Sequence, residues 1–149
     1  MGDLERAVMG WVQEGFCCSQ IMTLAGTALT GRDNRDLTAA MSGLCRGVYS
    51  GLGTCGALTG ACCLLGFYVG KGTQGEEKDP CLVTMIEELY CWFRENWSGA
   101  GGGISCREIL GDDLDAGMQQ CFPLVLETLV KTIRLLEEHG VDVREGCPP

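Results

Sequence analysis

The sequence lacks several features that would assign it to a common class of protein. It contains one histidine and four prolines, and it has no uninterrupted apolar run of the ~20 residues that a membrane-spanning helix needs. Lys and Arg number 11 against 20 Asp and Glu, so the formal net charge is -9. This shortage of positive charge argues against binding to nucleic-acid phosphates or anionic lipid, and it favours a basic redox partner protein.

A secretory signal is also missing. The first six residues, MGDLER, contain neither a basic segment nor an apolar stretch, so we expect a cytoplasmic protein. The 11 cysteines among 149 residues would otherwise suggest a secreted disulfide framework. In a reducing compartment, cysteines in this number indicate metal binding, redox chemistry or packing as small apolar side chains.

Apolar residues recur at helical spacing along the chain, and no alternating run of strand length occurs. Bounded by glycines, prolines and cap residues such as Asn34, the predicted helices cover residues 3–13, 18–29, 35–45, 55–69, 80–97, 105–110 and 122–138. We therefore expect an all-α bundle of about five to seven helices. It forms a single domain over 1–140, followed by a C-terminal tail over 141–149. The glycine-rich, almost wholly apolar segment 55–69 is predicted as the buried central helix.

The cysteine spacings exclude the common short motifs. No two cysteines are separated by two residues, which excludes a C-x-x-C redox motif, a zinc knuckle and c-type haem attachment. The one histidine, His139, follows two glutamates at a predicted helix end, where a solvated side chain is expected rather than a ligand. A Cys–His catalytic pair is therefore disfavoured. An electron-transfer or thiol redox protein fits better than a substrate-converting enzyme.

Four widely separated cysteines are predicted to lie at helix N-termini. They are Cys18, Cys55 after a Thr54 cap, Cys106 after a Ser105 cap, and Cys121 before Pro123. Backbone N–H groups and the helix dipole at such positions lower a thiol pKa towards that of a nucleophile or a metal ligand, and Arg107 would act in the same direction on Cys106. We predict that these four thiols form one site and act as redox groups or metal ligands.

The run Cys55-Gly56-Ala57-Leu58-Thr59-Gly60 resembles the Cys-Gly-Ala-x-x-Gly signature of the redox-active proteins called the C_GCAxxG_C_C family. The four characteristic cysteines of that family resemble Cys18, Cys55, Cys106 and Cys121. The resemblance covers about Gly15 to Leu136, and it implies a redox role that can include an iron–sulfur centre. Two features depart from the pattern: Phe122 and Pro123 follow the last cysteine, and seven further cysteines have no place in it.

Three functions remain open at this point. The four thiols can ligate an iron–sulfur cluster for electron transfer, or they can switch between dithiol and disulfide forms as a metal-free carrier or sensor. The third possible function is that of a helical interaction module whose cysteines are structural. Gly56 and Gly60 would give room for a cluster or disulfide beside Cys55, or allow close helix contact. With Arg107 they are the predicted cofactor-binding residues.

The other cysteines receive weaker predictions. Cys45, which precedes a glycine-rich loop, is the best candidate for a fifth functional thiol, while Cys17 has no assigned role. Core or boundary positions are predicted for Cys62, Cys63, Cys81 and Cys91. Cys147 is expected to be exposed in the tail.

Overall fold

The computed structural model describes residues 2–112 and 117–145. Within these ranges the fold consists of seven α-helices, and strand-like pairing is limited to one antiparallel bridge between Thr54 and Ser105. The helices are α1 (Gly2–Gln13), α2 (Cys18–Thr30), α3 (Arg35–Met41), α4 (Gly56–Val69), α5 (Cys81–Trp97), α6 (Cys106–Leu110) and α7 (Gly117–Glu138). The predicted all-α bundle is confirmed. Among the described helices, none combines the length and apolar character needed to cross a membrane.

The central helix is α4, as its apolar sequence predicts. It packs chiefly against α2 and also contacts α5 and α7. Two glycines allow the close approach of α2 and α4: a Cβ at Gly60 would lie 2.8 Å from the Cα of Ser19, and a Cβ at Gly26 would lie 2.6 Å from Cδ1 of Leu64. The narrow spacing of these two helices determines where the first turn of α2 lies.

Side-chain caps fix the starts of two helices at predicted positions. The carboxamide of Asn34 accepts a hydrogen bond from the backbone N–H of Leu37 at 3.0 Å, and Ser105 accepts one from Glu108 at 3.2 Å. The predicted Thr54 cap is wrong, because Cys55 itself occupies the N-cap position of α4.

The connection from α3 to α4 differs from the predicted helix over 35–45. The α-helix ends at Met41, a 3-10 turn follows over Ser42–Leu44, and the backbone after Cys45 makes a single left-handed turn from Arg46 to Tyr49. In that turn φ is 53° at Arg46 and at Val48, and 59° at Gly47. Left-handed backbone costs non-glycine residues about 1–2 kcal/mol each. The surrounding structure must therefore hold the turn in place.

Hydrogen bonds attach the left-handed turn to the loop before α4 and to the start of α6. The N–H of Gly53 donates to the carbonyl of Gly47 at 3.2 Å, and the N–H of Cys106 donates to the carbonyl of Gly53 at 3.1 Å. Only glycine fits at position 47, because a Cβ there would lie 2.5 Å from the carbonyl oxygen of Gly53. The turn, the loop and α6 are thus joined by backbone contacts.

The packed structure extends into the segment predicted as a tail. Val143 is buried, and its carbonyl accepts a hydrogen bond from the hydroxyl of Tyr68 at 2.7 Å. Cys147 and the rest of 146–149 lie outside the described residues.

Candidate functional site

One cavity of about 80 Å³ brings together the four cysteines predicted as a site. Cys18 is the first residue of α2, Cys55 caps α4, Cys106 is the first residue of α6, and Cys121 lies on α7. The remaining wall is mostly apolar. Among the described residues, Arg46 is the charged side chain that lines it. Four thiols from four separate helices therefore face one small, weakly polar space.

A short backbone pairing places Cys55 next to Cys106. The bridge between Thr54 and Ser105 brings the two helix starts together, and the N–H of Cys55 donates to the carbonyl of Ile104 at 2.8 Å. Cys55 and Cys106 are both buried. Residues 51 apart in the sequence thus share one side of the cavity through main-chain contacts.

A disulfide forms part of the same wall. Cys17, which also lines the cavity, is bonded to Cys45, and their Cα atoms are 6.0 Å apart. The interpretation of Cys45 as a fifth functional cysteine gave it no partner. The sequence shows only that Cys17 adjoins a predicted helix start and that Cys45 precedes a glycine-rich loop. These signals could not pair the two residues, because their contact depends on the left-handed turn.

The disulfide lies against a buried hydroxyl. The Oγ of Ser19 is 3.4 Å from the sulfur of Cys17 and 3.4 Å from the sulfur of Cys45. Ser19 is fully buried and donates a hydrogen bond to the carbonyl of Met41 at 2.7 Å. Ser19 therefore places one polar side chain in contact with both sulfur atoms.

The four cavity thiols have pKa values above their ordinary value of 9.0. Burial raises the pKa of Cys55 to about 12 and that of Cys121 to about 11, and it also raises the pKa of Cys18 and Cys106. The predicted lowering of these pKa values is therefore wrong. The backbone N–H groups of Ala57 and Leu58 do act on Cys55 in the predicted direction, but the loss of solvation outweighs them.

The arginine that acts on the cavity is Arg46, not the predicted Arg107. Burial dominates the raised pKa of Cys18, Cys106 and Cys121, and the positive charge of Arg46 opposes it at all three. Arg107 is exposed and does not line the cavity; its backbone N–H donates to the carbonyl of Gly51 at 2.8 Å. Arg107 follows Cys106 in the sequence, but its guanidinium does not reach the cavity that the thiols line.

Two further site predictions are corrected by the helix geometry. Cys121 is the fifth residue of α7, which begins at Gly117, so it lies in the second turn and Pro123 lies inside the helix. Gly56 does line the cavity, and a Cβ there would lie 2.6 Å from the Sγ of Cys18. Gly60 does not line the cavity, because the position that a Cβ would take at Gly60 faces the backbone of α2.

The remaining described cysteines do not line the cavity. Cys62, Cys63 and Cys81 are half-buried, and Cys91 is exposed. His139 does not line it either; its Nε2 lies 3.5 Å from Oε1 of Glu88. The described residues thus contain no Cys–His pair at the cavity.

As the described residues stand, the cavity donors do not fit a metal centre. Over residues 2–112 and 117–145, no three His, Cys, Asp or Glu side chains are grouped so that they could hold a metal ion. Cluster ligation also requires thiolates, whereas burial raises the pKa of all four cavity thiols. In this conformation the cavity suits neutral thiols. A cluster would need the four sulfurs to move closer together and lose their protons.

Comparison with known protein families gives a match that covers the cavity cysteines. The family model described as "Putative redox-active protein (C_GCAxxG_C_C)" matches residues 16–135, a range that contains the disulfide and all four cavity thiols. This chain belongs to the C_GCAxxG_C_C family. Searches among curated proteins and among solved structures gave no match.

The raised thiol pKa values predict how the stability of this C_GCAxxG_C_C protein depends on pH. An unfolded thiol loses its proton near its ordinary pKa of 9.0, whereas the pKa of folded Cys55 is about 12. The unfolded state therefore binds fewer protons than the folded state between these values, and the free energy of unfolding falls as pH rises from about 9 to 12. Denaturant titrations at pH 7, 9 and 10.5 measure the fall.

Replacing one cavity cysteine measures how much its thiol contributes to the fall in the free energy of unfolding with pH. Cys55→Ala should show a smaller loss of stability between pH 9 and 10.5 than the unaltered protein, because one of the perturbed groups is gone. Cys91→Ala, at an exposed position, is the matched control and should behave like the unaltered protein. An identical pH dependence for Cys55→Ala and the unaltered protein would contradict the raised pKa.

Proposed function

We propose that this protein is a thiol–disulfide redox protein in which Cys17 and Cys45 are the exchanging pair. The observation that carries the proposal is the position of their disulfide in the wall of a cavity lined by four free thiols. Membership of a redox-active family supports it. In the reducing cytoplasm that the sequence predicts, such a disulfide would form and break during function rather than persist.

Exchange of this pair balances with a partner that carries two thiols. A partner thiolate attacks one sulfur of the disulfide, a mixed disulfide forms, and the other sulfur leaves and takes up a proton. The second partner thiol then attacks the mixed disulfide. Cys17 and Cys45 gain two electrons and two protons, and the partner becomes a disulfide. The reverse sequence oxidises the pair again.

The environment of the four cavity thiols is consistent with this division of roles. With pKa values raised by burial, they remain protonated near pH 7, and a protonated thiol is a poor nucleophile. They therefore do not compete for the disulfide while the cavity is closed. Their nearness also means that a change at Cys17 alters the wall that they share.

A redox titration tests the proposal. The protein is equilibrated in buffers of graded thiol and disulfide ratio, free thiols are alkylated, and each cysteine is followed by peptide mass. We expect Cys17 and Cys45 to change together in one two-electron transition. Cys45→Ser should abolish the transition of Cys17, whereas Cys91→Ser should leave it unchanged. Independent behaviour of Cys17 and Cys45, or no pairing between them, would contradict the proposal.

A second candidate is an iron–sulfur protein with Cys18, Cys55, Cys106 and Cys121 as ligands. What favours it is that four thiols, the number needed for a [2Fe–2S] or [4Fe–4S] cluster, line one cavity beside the positive charge of Arg46. When bound, the cluster would supply one-electron transfer.

Anaerobic purification distinguishes this candidate from the first. Bound iron with acid-labile sulfide and visible absorbance would support it, provided that serine at any of the four positions removes them and Cys62→Ser does not. Protein with no iron and no sulfide after anaerobic reconstitution would contradict it. A protein with neither a redox-active disulfide nor a cluster would favour the helical interaction module.

A further inference from the structure

A surface groove of about 270 Å³ lies on the outer side of the disulfide. Both half-cystines line it, together with Phe16, Arg46, Tyr49 and Met118. Cys17, Arg46 and Met118 also line the inner cavity. The Cys17–Cys45 bond therefore lies between a groove that opens to solvent and the cavity that holds the four thiols.

The two sulfurs of the bond differ in their access from the groove. Cys45 is 1% exposed, whereas Cys17 is only half-buried at the start of α2. Among the described residues, Arg46 is the charged side chain that lines the groove, and its positive charge complements an approaching thiolate. The charge therefore favours entry of a thiolate into the groove, and access favours its attack at Cys17.

Attack at Cys17 makes the buried sulfur of Cys45 the leaving group, and a polar side chain lies beside that sulfur. When the bond to Cys17 breaks, Cys45 carries the negative charge until it is protonated. The Ser19 hydroxyl is 3.4 Å from that sulfur, within reach for a hydrogen bond to sulfur, and it can turn its proton from the Met41 carbonyl towards the thiolate. Ser19 would thereby touch both reacting atoms.

We propose that this groove is the entry site for a thiolate and that Cys17 is the sulfur it attacks, with Cys45 as the leaving group; this inference rests on the function proposed above. The bond from Cys17 to Cys45 breaks, and a bond from Cys17 to the incoming sulfur forms. The electron pair of the broken bond goes to Cys45, which takes a proton released by the second thiol of the partner.

The rim of the groove favours a protein as the source of the thiolate. Tyr49, which lines the groove, is 67% exposed, and its chain neighbour Val48 is 55% exposed. A small thiol would fill the groove and leave these apolar side chains in water. A protein thiol set in an apolar surface would cover them, and burial of that area contributes to association.

Trapping the mixed disulfide tests which sulfur is attacked. The oxidised full-length protein is mixed with excess 2-mercaptoethanol, quenched in acid at short times, alkylated with N-ethylmaleimide and digested. We expect the adduct at Cys17 in at least ~10-fold excess over Cys45, because attack follows access. An adduct mainly at Cys45 would overturn the inference.

Two single variants give an independent measurement. Cys17 in Cys45→Ser should react faster with an aromatic disulfide probe than Cys45 does in Cys17→Ser, and circular dichroism checks that both variants remain helical. If Cys17 and Cys45 never pair on oxidation, the proposed function fails. If they pair but the adduct forms at Cys45, only the present inference fails.

A substitution at the rim of the groove tests whether the incoming thiolate belongs to a protein. Tyr49→Ser should slow reduction by a protein dithiol, for which reduced thioredoxin is the probe, more than reduction by dithiothreitol. Val83→Ser, at a position 61% exposed on α5, is the matched control and should not change the ratio of the two rates. An unchanged ratio for Tyr49→Ser, or an equal change for Val83→Ser, would overturn the assignment to a protein thiol.

Discussion

Gly60→Ala is expected to lower the free energy of unfolding by about 1–3 kcal/mol, the usual cost of overpacking a tight core. The added Cβ would lie 2.8 Å from the Cα and 2.9 Å from the carbonyl oxygen of Ser19. Both atoms belong to the backbone of α2, so the helices must separate. Because Ser19 contacts both sulfurs of the disulfide, the shift would also disturb the redox pair. Denaturant unfolding measures the stability, and the redox titration measures the second effect.

Gly66→Ala is the matched control for that substitution. Gly66 lies on the same helix, and a Cβ there would meet nothing within 4 Å. Alanine at an open helical position is expected to stabilise the protein by about 0.5–1 kcal/mol, because it restricts the unfolded chain. If Gly60→Ala were as stable as Gly66→Ala, the close packing of α2 on α4 would be contradicted.

Loss of the Cys17–Cys45 bond is expected to lower the free energy of unfolding by about 2–4 kcal/mol. The bond joins residues 28 apart in sequence, and without it the unfolded chain gains conformational freedom. Relaxation of the left-handed turn after Cys45 would offset part of that loss, because Arg46 and Val48 could return to ordinary φ values. The measured cost should therefore lie towards the lower end of the range.

Reductant distinguishes this effect from other consequences of losing a cysteine. Unfolding is measured with and without dithiothreitol for the unaltered protein, for the double variant Cys17→Ser with Cys45→Ser, and for Cys91→Ser. Reductant should destabilise the unaltered protein and Cys91→Ser, and it should leave the double variant unchanged. Reductant sensitivity that persists in the double variant would assign the stabilising bond to other cysteines.

The parts of the fold that depend on local pattern could be predicted from the sequence. The central helix 55–69 follows from its apolar composition, and the caps Asn34 and Ser105 follow from the preference of their side chains for free backbone N–H groups. The meeting of Cys18, Cys55, Cys106 and Cys121 in one cavity was also expected, because each was placed near a helix start.

The parts that depend on tertiary structure could not be predicted. Arginine, valine and tyrosine rarely adopt positive φ, so Gly47 alone in Arg46-Gly47-Val48-Tyr49 is compatible with a left-handed turn, and one glycine does not predict it. Without that turn, neither the pairing of Cys45 with Cys17 nor the position of Arg46 at the cavity can be inferred. The predicted direction of the thiol pKa shifts was wrong for a related reason. Helix position is local, whereas burial, which dominates, depends on the whole fold.

The central claim is that the disulfide and the four cavity thiols form one site. It is tested most directly by the rates at which N-ethylmaleimide labels each cysteine before and after reduction of Cys17–Cys45, resolved by peptide mass. Reduction should release the left-handed turn and speed labelling of Cys18 and Cys106, while the rates at Cys62 and Cys91 stay constant. Unchanged rates at the cavity thiols, or an equal increase at all positions, would contradict the claim.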